Sequence, residues 1–320
     1  MSKTSTDAPG PLVLSGATMG TRWSLTLAHR AEATPALAPA LQAAVGRVDA
    51  QMSTWRPDSD LMRLNRAAVG IWQPVPPDLL TVLAAALKVG ARSGGLFDVM
   101  VGDVVQAWGF GPRDADSQLI AAHLDRPRPA AHRVLELDIP GARVRRHAPL
   151  SLDLSGIAKG FAVDELLRVA AEHGVGDALA ALDGELAARG HRADGRPWAV
   201  AVERPEPGSR APFGILDLAE MAVATSGDYR HRVSLGGLSL SHTIDPRRGG
   251  PVRNRLASVT VLHPSCMMAD AWATALMVAG EDAAPALAAE QGLDALFLLR
   301  DGPELRSLST GPRLGAPLPA

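Results

Sequence analysis

Residues 256–278, LASVTVLHPSCMMADAWATALMV, contain a segment typical of a strand followed by one typical of a helix. The run of apolar and β-branched residues over 256–262 favours a strand. The apolar and small residues of 269–278 recur at helical spacing and predict a helix. The fold class then depends on the order of strands and helices on either side of this stretch.

Strand-like segments cluster upstream of it. The predicted antiparallel strands, joined by turns, are 198–203, 214–218 and 233–240 with a break at Gly236 and Gly237. A second helix over 282–291 and a strand over 295–300 follow downstream. Long runs of strands interrupted by a few helices favour an α+β fold, with mainly antiparallel sheets flanked by helices, over a parallel doubly wound sheet.

The N-terminal half carries most of the helical periodicity. One buried helical stripe is formed by Leu37, Leu41, Val45, Val48 and Met52. We predict a second helix over 78–92 and a third that begins at Ser155 as N-cap and ends at Gly174. A first strand over 21–28 and a hairpin from 133–138 and 142–146 complete the pattern.

The organisation indicates one domain, 12–310, with two lobes, because neither a linker nor a short repeat interrupts it. Residues 1–11 and 311–320 are expected to be tails. The N-terminus lacks the apolar core of a secretory signal, and no run approaches the ~20 apolar residues of a membrane span. We therefore expect no membrane span and a cytoplasmic location for the chain as it stands, or a periplasmic one if an export signal was removed.

The composition argues against several functional classes. The 320 residues are 47% hydrophobic, and 32 Lys and Arg nearly balance 34 Asp and Glu, leaving a net charge of −2. Such a chain has no broad attraction for nucleic acid. The single cysteine, Cys266, excludes an intramolecular disulfide framework, and nine scattered histidines do not support a zinc site. The Rossmann, Walker and nucleophile-elbow motifs are also absent.

Three polar segments remain as candidates for chemistry. Asp270 and Thr274 lie four residues apart, so a helix would point both oxygens the same way, as magnesium requires; alternatively, the carboxylate only complements the helix dipole. In 151–160, Gly156, Lys159 and a helix N-terminus suit a phosphate, or form an ordinary capping turn. His242 follows the third segment, 224–230, and by itself is more typical of a structural histidine than of a catalytic one.

Taken together, in sequence order, the segments resemble those of the ApbE family of flavin transferases. The resemblance extends from Gly16 to about Gly280. Its segments are 18–21, 52–57 with Ser59, 95–99, 153–160, 225–230, 242–246 and 269–276. It implies an α+β, T-fold-like domain whose FAD site is lined by Met19, Trp55, Leu96, Phe97, Asp98, Asp153, Lys159 and Ile244.

The resemblance also implies a magnesium site and a base. Asp270 and Thr274 would bind Mg²⁺ together with a backbone oxygen of Gly156, and His242 would be the catalytic base beside the pyrophosphate. Asp245 would orient that histidine or cap the turn at Pro246. Trp55 replaces a tyrosine that is common in the family, and either ring can stack on FAD.

One departure from the family pattern concerns a turn. The family carries a Gly-Gly pair where this chain has Asp183-Gly184. Asp183 adds bulk and negative charge, which would alter FAD affinity or substrate choice if the turn approaches the phosphates.

The implied function is magnesium-dependent transfer of FMN from FAD to a Ser or Thr hydroxyl of an acceptor protein, with release of AMP. Phosphoryl chemistry of this kind depends on positioning and charge neutralisation, to which Asp270 and Lys159 would contribute. Two alternatives use the same site. Water in place of the protein hydroxyl would give a magnesium-dependent FAD pyrophosphatase, and a silenced site would give a non-catalytic FAD-binding protein.

Overall fold

The computed structural model describes residues 11–149, 151–206, 208, 211–228, 232–235, 238–302 and 304–314, and of 232–235, 238 and 239 the backbone alone. A short 3-10 helix spans Arg30–Glu32. The α-helices are α1 (Leu37–Met52), α2 (Asp60–Arg66), α3 (Pro77–Arg92), α4 (Gly102–Ala107), α5 (Ser117–His123), α6 (Ala131–Val134), α7 (Ala158–Glu172) and α8 (Cys266–Glu290).

The strands form one large sheet and several small ones. They are β1 (Leu12–Thr18), β2 (Thr21–Leu27), β3 (Gln73–Pro74), β4 (Leu135–Asp138), β5 (Arg143–Arg146), β6 (Ala178–Leu182), β7 (Glu185–Arg189), β8 (Trp198–Glu203), β9 (Pro212–Leu218), β10 (Ala222–Gly227), β11 (Arg232–Leu235), β12 (Leu238–Ser241), β13 (Ile244–Asp245), β14 (Gly250–Pro251), β15 (Leu256–His263), β16 (Asp294–Asp301) and β17 (Glu304–Thr310).

The central sheet has eight antiparallel strands in the order β1-β2-β6-β7-β10-β15-β16-β17. Helices α7 and α8 pack against each other and against β6, β7, β10 and β15, and α1 packs on α7. The other face is covered by the separate β8–β9 hairpin. The sheet is therefore a middle layer with a core on each side.

This layering explains why β15 and β16 are nearly continuous apolar runs. Successive side chains of a strand point to opposite faces. In β16, Ala295 and Phe297 join the helix-side core, whereas Leu296 and Leu298 join the core beneath the β8–β9 hairpin. Because both faces are buried, the usual alternation of apolar and polar residues is lost.

The predicted α+β class is confirmed, and α1, α3, the β4–β5 hairpin and β15 lie where they were predicted. The two predicted C-terminal helices meet at a kink in α8. There, Gly280 adopts φ 77° and ψ 171°, a conformation that favours glycine. Asn254 donates a hydrogen bond to the carbonyl of Met277 just before the kink.

Several predictions of detail were wrong. The strand over 21–28 is the second, because Leu12–Thr18 precedes it as β1. Strands β8 and β9 do not join β15 in one sheet, since β10 and β16 occupy both of its edges. Helix α7 begins at Ala158; the Ser155 amide instead donates to Asp153 at 2.8 Å, so Ser155 sits in a turn before the helix and does not cap it.

The break predicted at Gly236 and Gly237 lies outside the described residues, as do Tyr229 and Arg230 of the third polar segment. Across the described part of the chain, no helix combines the length and the apolar character needed to cross a membrane.

Candidate functional site

A cavity of about 470 Å³ opens beside the N-terminal turn of α7, bounded by α8, the β6–β7 turn and the β8–β9 hairpin. Most of the predicted site residues line it, although they come from distant parts of the sequence. They are Leu96, Phe97, Asp98, Asp153, Gly156, Lys159, His242, Ile244, Asp270 and Thr274. The fold thus brings separate sequence motifs to one place.

Two predicted residues are not part of the cavity wall. Met19 lies in the β1–β2 turn with φ 46°, and Trp55 follows α1 with 64% of its surface exposed. That both contact FAD stays a prediction. An exposed indole is free to stack on a planar group that extends beyond the cavity.

Helix α8 presents Asp270 and Thr274 on one face, one turn apart. The buried Asp270 accepts a hydrogen bond from the Gly160 amide at 3.0 Å, and Thr274 Oγ1 lies 3.2 Å from Ser226 Oγ. A Cβ atom added to Gly156 would lie only 2.9 Å from Thr274 Oγ1. Because Gly156 has no side chain, its backbone can approach the hydroxyl closely.

These oxygens have the chemistry that magnesium prefers. No group of three or more His, Cys, Asp or Glu side chains suited to a metal occurs among the described residues. One carboxylate and several neutral oxygens would leave coordination positions for water and phosphate, as is usual for Mg²⁺. Asp270, Thr274 and the Gly156 backbone could therefore hold a magnesium ion.

Lys159 does not face the cavity as a free cation. Its Nζ lies 2.8 Å from Glu185 Oε1 and 3.6 Å from Asp183 Oδ2. Burial disfavours its charge, but the carboxylates of Glu185 and Asp270 outweigh burial and raise the Lys159 pKa above its ordinary value. The lysine therefore stays charged, and part of that charge already balances protein carboxylates.

For Asp270, in contrast to Lys159, the effect of burial on the pKa prevails over that of the neighbouring opposite charge. Burial, reinforced by the negative charge of Glu185, raises the pKa of Asp270 to about 7. A divalent cation would reverse this effect, since it favours the ionised carboxylate. Cation binding and ionisation of Asp270 would therefore favour each other.

Asp98 and Asp153 shape the cavity wall. Asp98 accepts hydrogen bonds from the amides of Met100 at 2.7 Å and Ala131 at 2.8 Å, while Asp153 accepts from Ser155 at 2.8 Å. Burial raises the pKa of both carboxyls. These contacts hold the loops that carry Phe97 and Gly156, so both residues have a structural role in addition to their place in the wall.

His242 lies between β12 and β13 and lines the cavity, as a candidate base should. Asp245 accepts from the amide and the guanidinium of Arg247, at 2.9 and 2.8 Å. Of the two roles considered for Asp245, these contacts favour stabilising the turn at Pro246 over orienting the histidine.

The turn that departs from the family pattern is part of the cavity wall. Asp183 and Gly184 connect β6 to β7, with Leu182 paired to Glu185. Asp183 adopts φ 57°, a left-handed conformation that glycine adopts at lower cost and that Asp tolerates better than most residues. The glycine that the resemblance implies at this position would adopt this conformation at lower cost than Asp183.

Several residues of the cavity wall were not predicted from the sequence. Glu185 adjoins the turn noted for Asp183, and Ser226 lies within the third polar segment, so both had a weak signal. The β8–β9 hairpin contributes Ala199, Val200, Ala201, Val202, Glu203 and Leu216. It had no signal, because an apolar strand pattern does not reveal which cavity it covers.

The chain is similar to known proteins over most of its length. The model of the ApbE family matches residues 19–297. A Klebsiella pneumoniae protein named FAD:protein FMN transferase is 36% identical over 304 residues, 91% of this chain and 85% of its own. The Vibrio cholerae protein of that name is 36% identical over 294 residues, 90% and 87% of the two chains.

Solved structures show the same architecture. The apo form of the Pseudomonas stutzeri flavinyl transferase ApbE superposes with a TM-score of 0.83 at 34% identity, over 96% of this chain and 98% of the other. The flavin transferase ApbE of Vibrio cholerae gives a TM-score of 0.84 at 32% identity, over 97% and 99%.

Proposed function

This chain belongs to the ApbE family, and on that premise we propose that it transfers FMN from FAD to a second protein. Relatives that bear this activity in their name match most of the chain. The observation that carries the proposal is the convergence of Asp270, Thr274 and Gly156 in the wall of a cavity that most of the other ApbE-like segments also line. Such a cavity combines oxygen ligands with apolar walls, as a dinucleotide site requires.

The finer proposal is that the reaction needs Mg²⁺ and modifies a Ser or Thr hydroxyl. Asp270, Thr274 and the Gly156 backbone oxygen would hold the ion, which would neutralise negative charge on the phosphates. The acceptor hydroxyl would form a new bond to the FMN-side phosphorus as the bond to the AMP oxygen breaks. His242 would take the hydroxyl proton, and AMP would leave with the electron pair of the broken bond.

The test is direct flavinylation. The protein is incubated with FAD, Mg²⁺ and a candidate acceptor domain, and intact-mass spectrometry follows the acceptor. A mass gain equal to one FMN group on a Ser or Thr, abolished by EDTA, is expected. Free FMN and AMP with an unmodified acceptor would support the pyrophosphatase alternative, and intact bound FAD would support a non-catalytic binder.

Asp183→Asn should tighten FAD binding by about 3- to 10-fold at low ionic strength. The substitution removes a negative charge 3.6 Å from Lys159, and Asn tolerates the positive φ at this position. The gain stays modest because 28% of the Asp183 side chain is exposed and water screens its charge. FAD fluorescence titration at two salt concentrations measures it.

A matched control is Asp301→Asn, which removes the same charge at the β16–β17 turn, where 53% of the side chain is exposed. Its FAD affinity should equal that of the wild type. Equal FAD affinities for Asp183→Asn and the wild type would show that the charge of Asp183 does not influence FAD binding.

Without metal, the contribution of Asp270 to the stability of the protein should fall as the pH rises from about 4 to 7. The folded state raises the pKa of Asp270 from 3.8 to about 7. The folded protein therefore binds more protons than the unfolded chain within this window, and the stabilisation, fully present below pH 4, is lost by pH 7. The expected change is on the order of 2–4 kcal/mol.

Urea unfolding in EDTA across this pH range measures the effect, with Asp270→Asn as the comparison. The variant cannot ionise at this position, so its free energy of unfolding should fall less steeply. Parallel pH profiles for the two proteins would contradict the assignment to Asp270.

A further inference from the structure

Glu185 is a buried carboxylate whose two oxygens have different surroundings. Its side chain is 3% exposed and lines the cavity. Oε1 accepts a hydrogen bond from Lys159 Nζ at 2.8 Å. Oε2 is buried as well, yet no group among the described residues donates to it.

A buried carboxylate oxygen without a donor is unusual in a folded protein, because burial removes the water that would otherwise solvate it. The neighbouring side chains do not remedy this. Asp183 and Asp270 carry acceptors themselves when ionised, and Lys159 already binds the other oxygen. A molecule that enters the cavity can supply the donor that the described residues do not provide.

We propose that Glu185 binds FAD directly, with Oε2 accepting a hydrogen bond from an uncharged N–H or O–H group of the dinucleotide while Oε1 holds Lys159 in place. The inference rests on the proposed function and adds a binding residue to it. The group of FAD that donates to Oε2 is uncharged, because the Glu185 carboxylate repels the phosphates. Both halves of FAD offer such donors: hydroxyls and the flavin imide in the FMN half, hydroxyls and the adenine amino group in the AMP half.

This arrangement would make Glu185 a specificity residue. A site built to accept a hydrogen bond from its ligand discriminates against analogues that lack the donor, since the buried oxygen is then left unpaired. Lys159 and Glu185 would act as a unit in which the lysine fixes the carboxylate and favours its ionised form.

Glu185→Gln is the decisive substitution. If the amide oxygen stays against Lys159, the NH₂ group replaces the free acceptor and opposes the donor on FAD. We expect FAD affinity to fall about 10- to 100-fold, the range for a lost hydrogen bond to a charged group. Equilibrium titration with FAD in EDTA measures this without turnover, and thermal unfolding verifies the fold.

The control is Glu136→Gln, which neutralises a half-exposed glutamate of the β4–β5 hairpin that pairs with Arg145 and His147. Separate titrations with FMN and with AMP show which half carries the donor, because only that half should bind the Glu185→Gln variant more weakly. A second comparison is made in a Lys159→Met background. Direct binding predicts that Glu185→Gln still weakens FAD there.

Unchanged FAD affinity for Glu185→Gln, or a loss that disappears in the Lys159→Met background, would overturn direct binding and leave Glu185 a support for the lysine. Failure of the wild-type protein to bind FAD at all would overturn the proposed function together with this inference. The wild-type titration therefore separates the two failures.

Discussion

Asp270→Asn should lower the rate of FMN transfer by at least about 1,000-fold. The substitution keeps an oxygen for the Gly160 amide, which donates to Asp270 at 3.0 Å, so the position of α8 against α7 should be preserved. What it removes is the negative charge among the candidate magnesium ligands. Loss of one strong electrostatic contact to a transition state typically costs 100- to 1,000-fold, and here the ion itself is weakened.

The measurement is kcat/KM for acceptor modification over a series of Mg²⁺ concentrations. FAD binding in EDTA serves as the control, and it should be retained because the charge removed is repulsive toward the phosphates. High Mg²⁺ should restore part of the activity. Activity within tenfold of the wild type at limiting Mg²⁺ would remove Asp270 from the metal site.

Gly160→Ala should destabilise the protein by about 3 kcal/mol and disrupt the site as well. A Cβ atom at this position would lie 2.8 Å from the Cα of Met267 and would collide with the carbonyl of Cys266. These are backbone atoms at the start of α8 and cannot rotate away, so the two helices must separate. The separation would displace Asp270, whose carboxylate the Gly160 amide holds.

Gly46→Ala is the matched control. Gly46 lies inside α1, and an added Cβ atom would meet nothing within 4 Å. Alanine in a helix interior should therefore stabilise the protein by about 0.5–1 kcal/mol. Urea unfolding gives both values. Equal midpoints for Gly160→Ala and the wild type would contradict the close α7–α8 contact.

Much of the fold was predictable because its signals are local. The stripe from Leu37 to Met52 requires only helical periodicity, and all five of its residues are buried in α1, together with Ala44. The kink at Gly280 was anticipated as a break between two helices. By contrast, β8 and β9 were predicted as members of one antiparallel series with β15, whereas they form a separate hairpin. A strand pattern specifies which faces are buried but not which strand lies alongside.

The sequence alone determined the pair on α8: a four-residue spacing places Asp270 and Thr274 on one helix face in any fold that keeps the helix. Only the tertiary structure decided what surrounds them. The Gly160 amide lies 110 residues from Asp270, and Glu185 lies 26 residues from Lys159. These contacts exist because α7, α8 and the β6–β7 turn pack on the same sheet. The resulting burial and long-range charge act on Asp270, Lys159 and Glu185, and neither effect can be inferred from the residues next to them in the sequence.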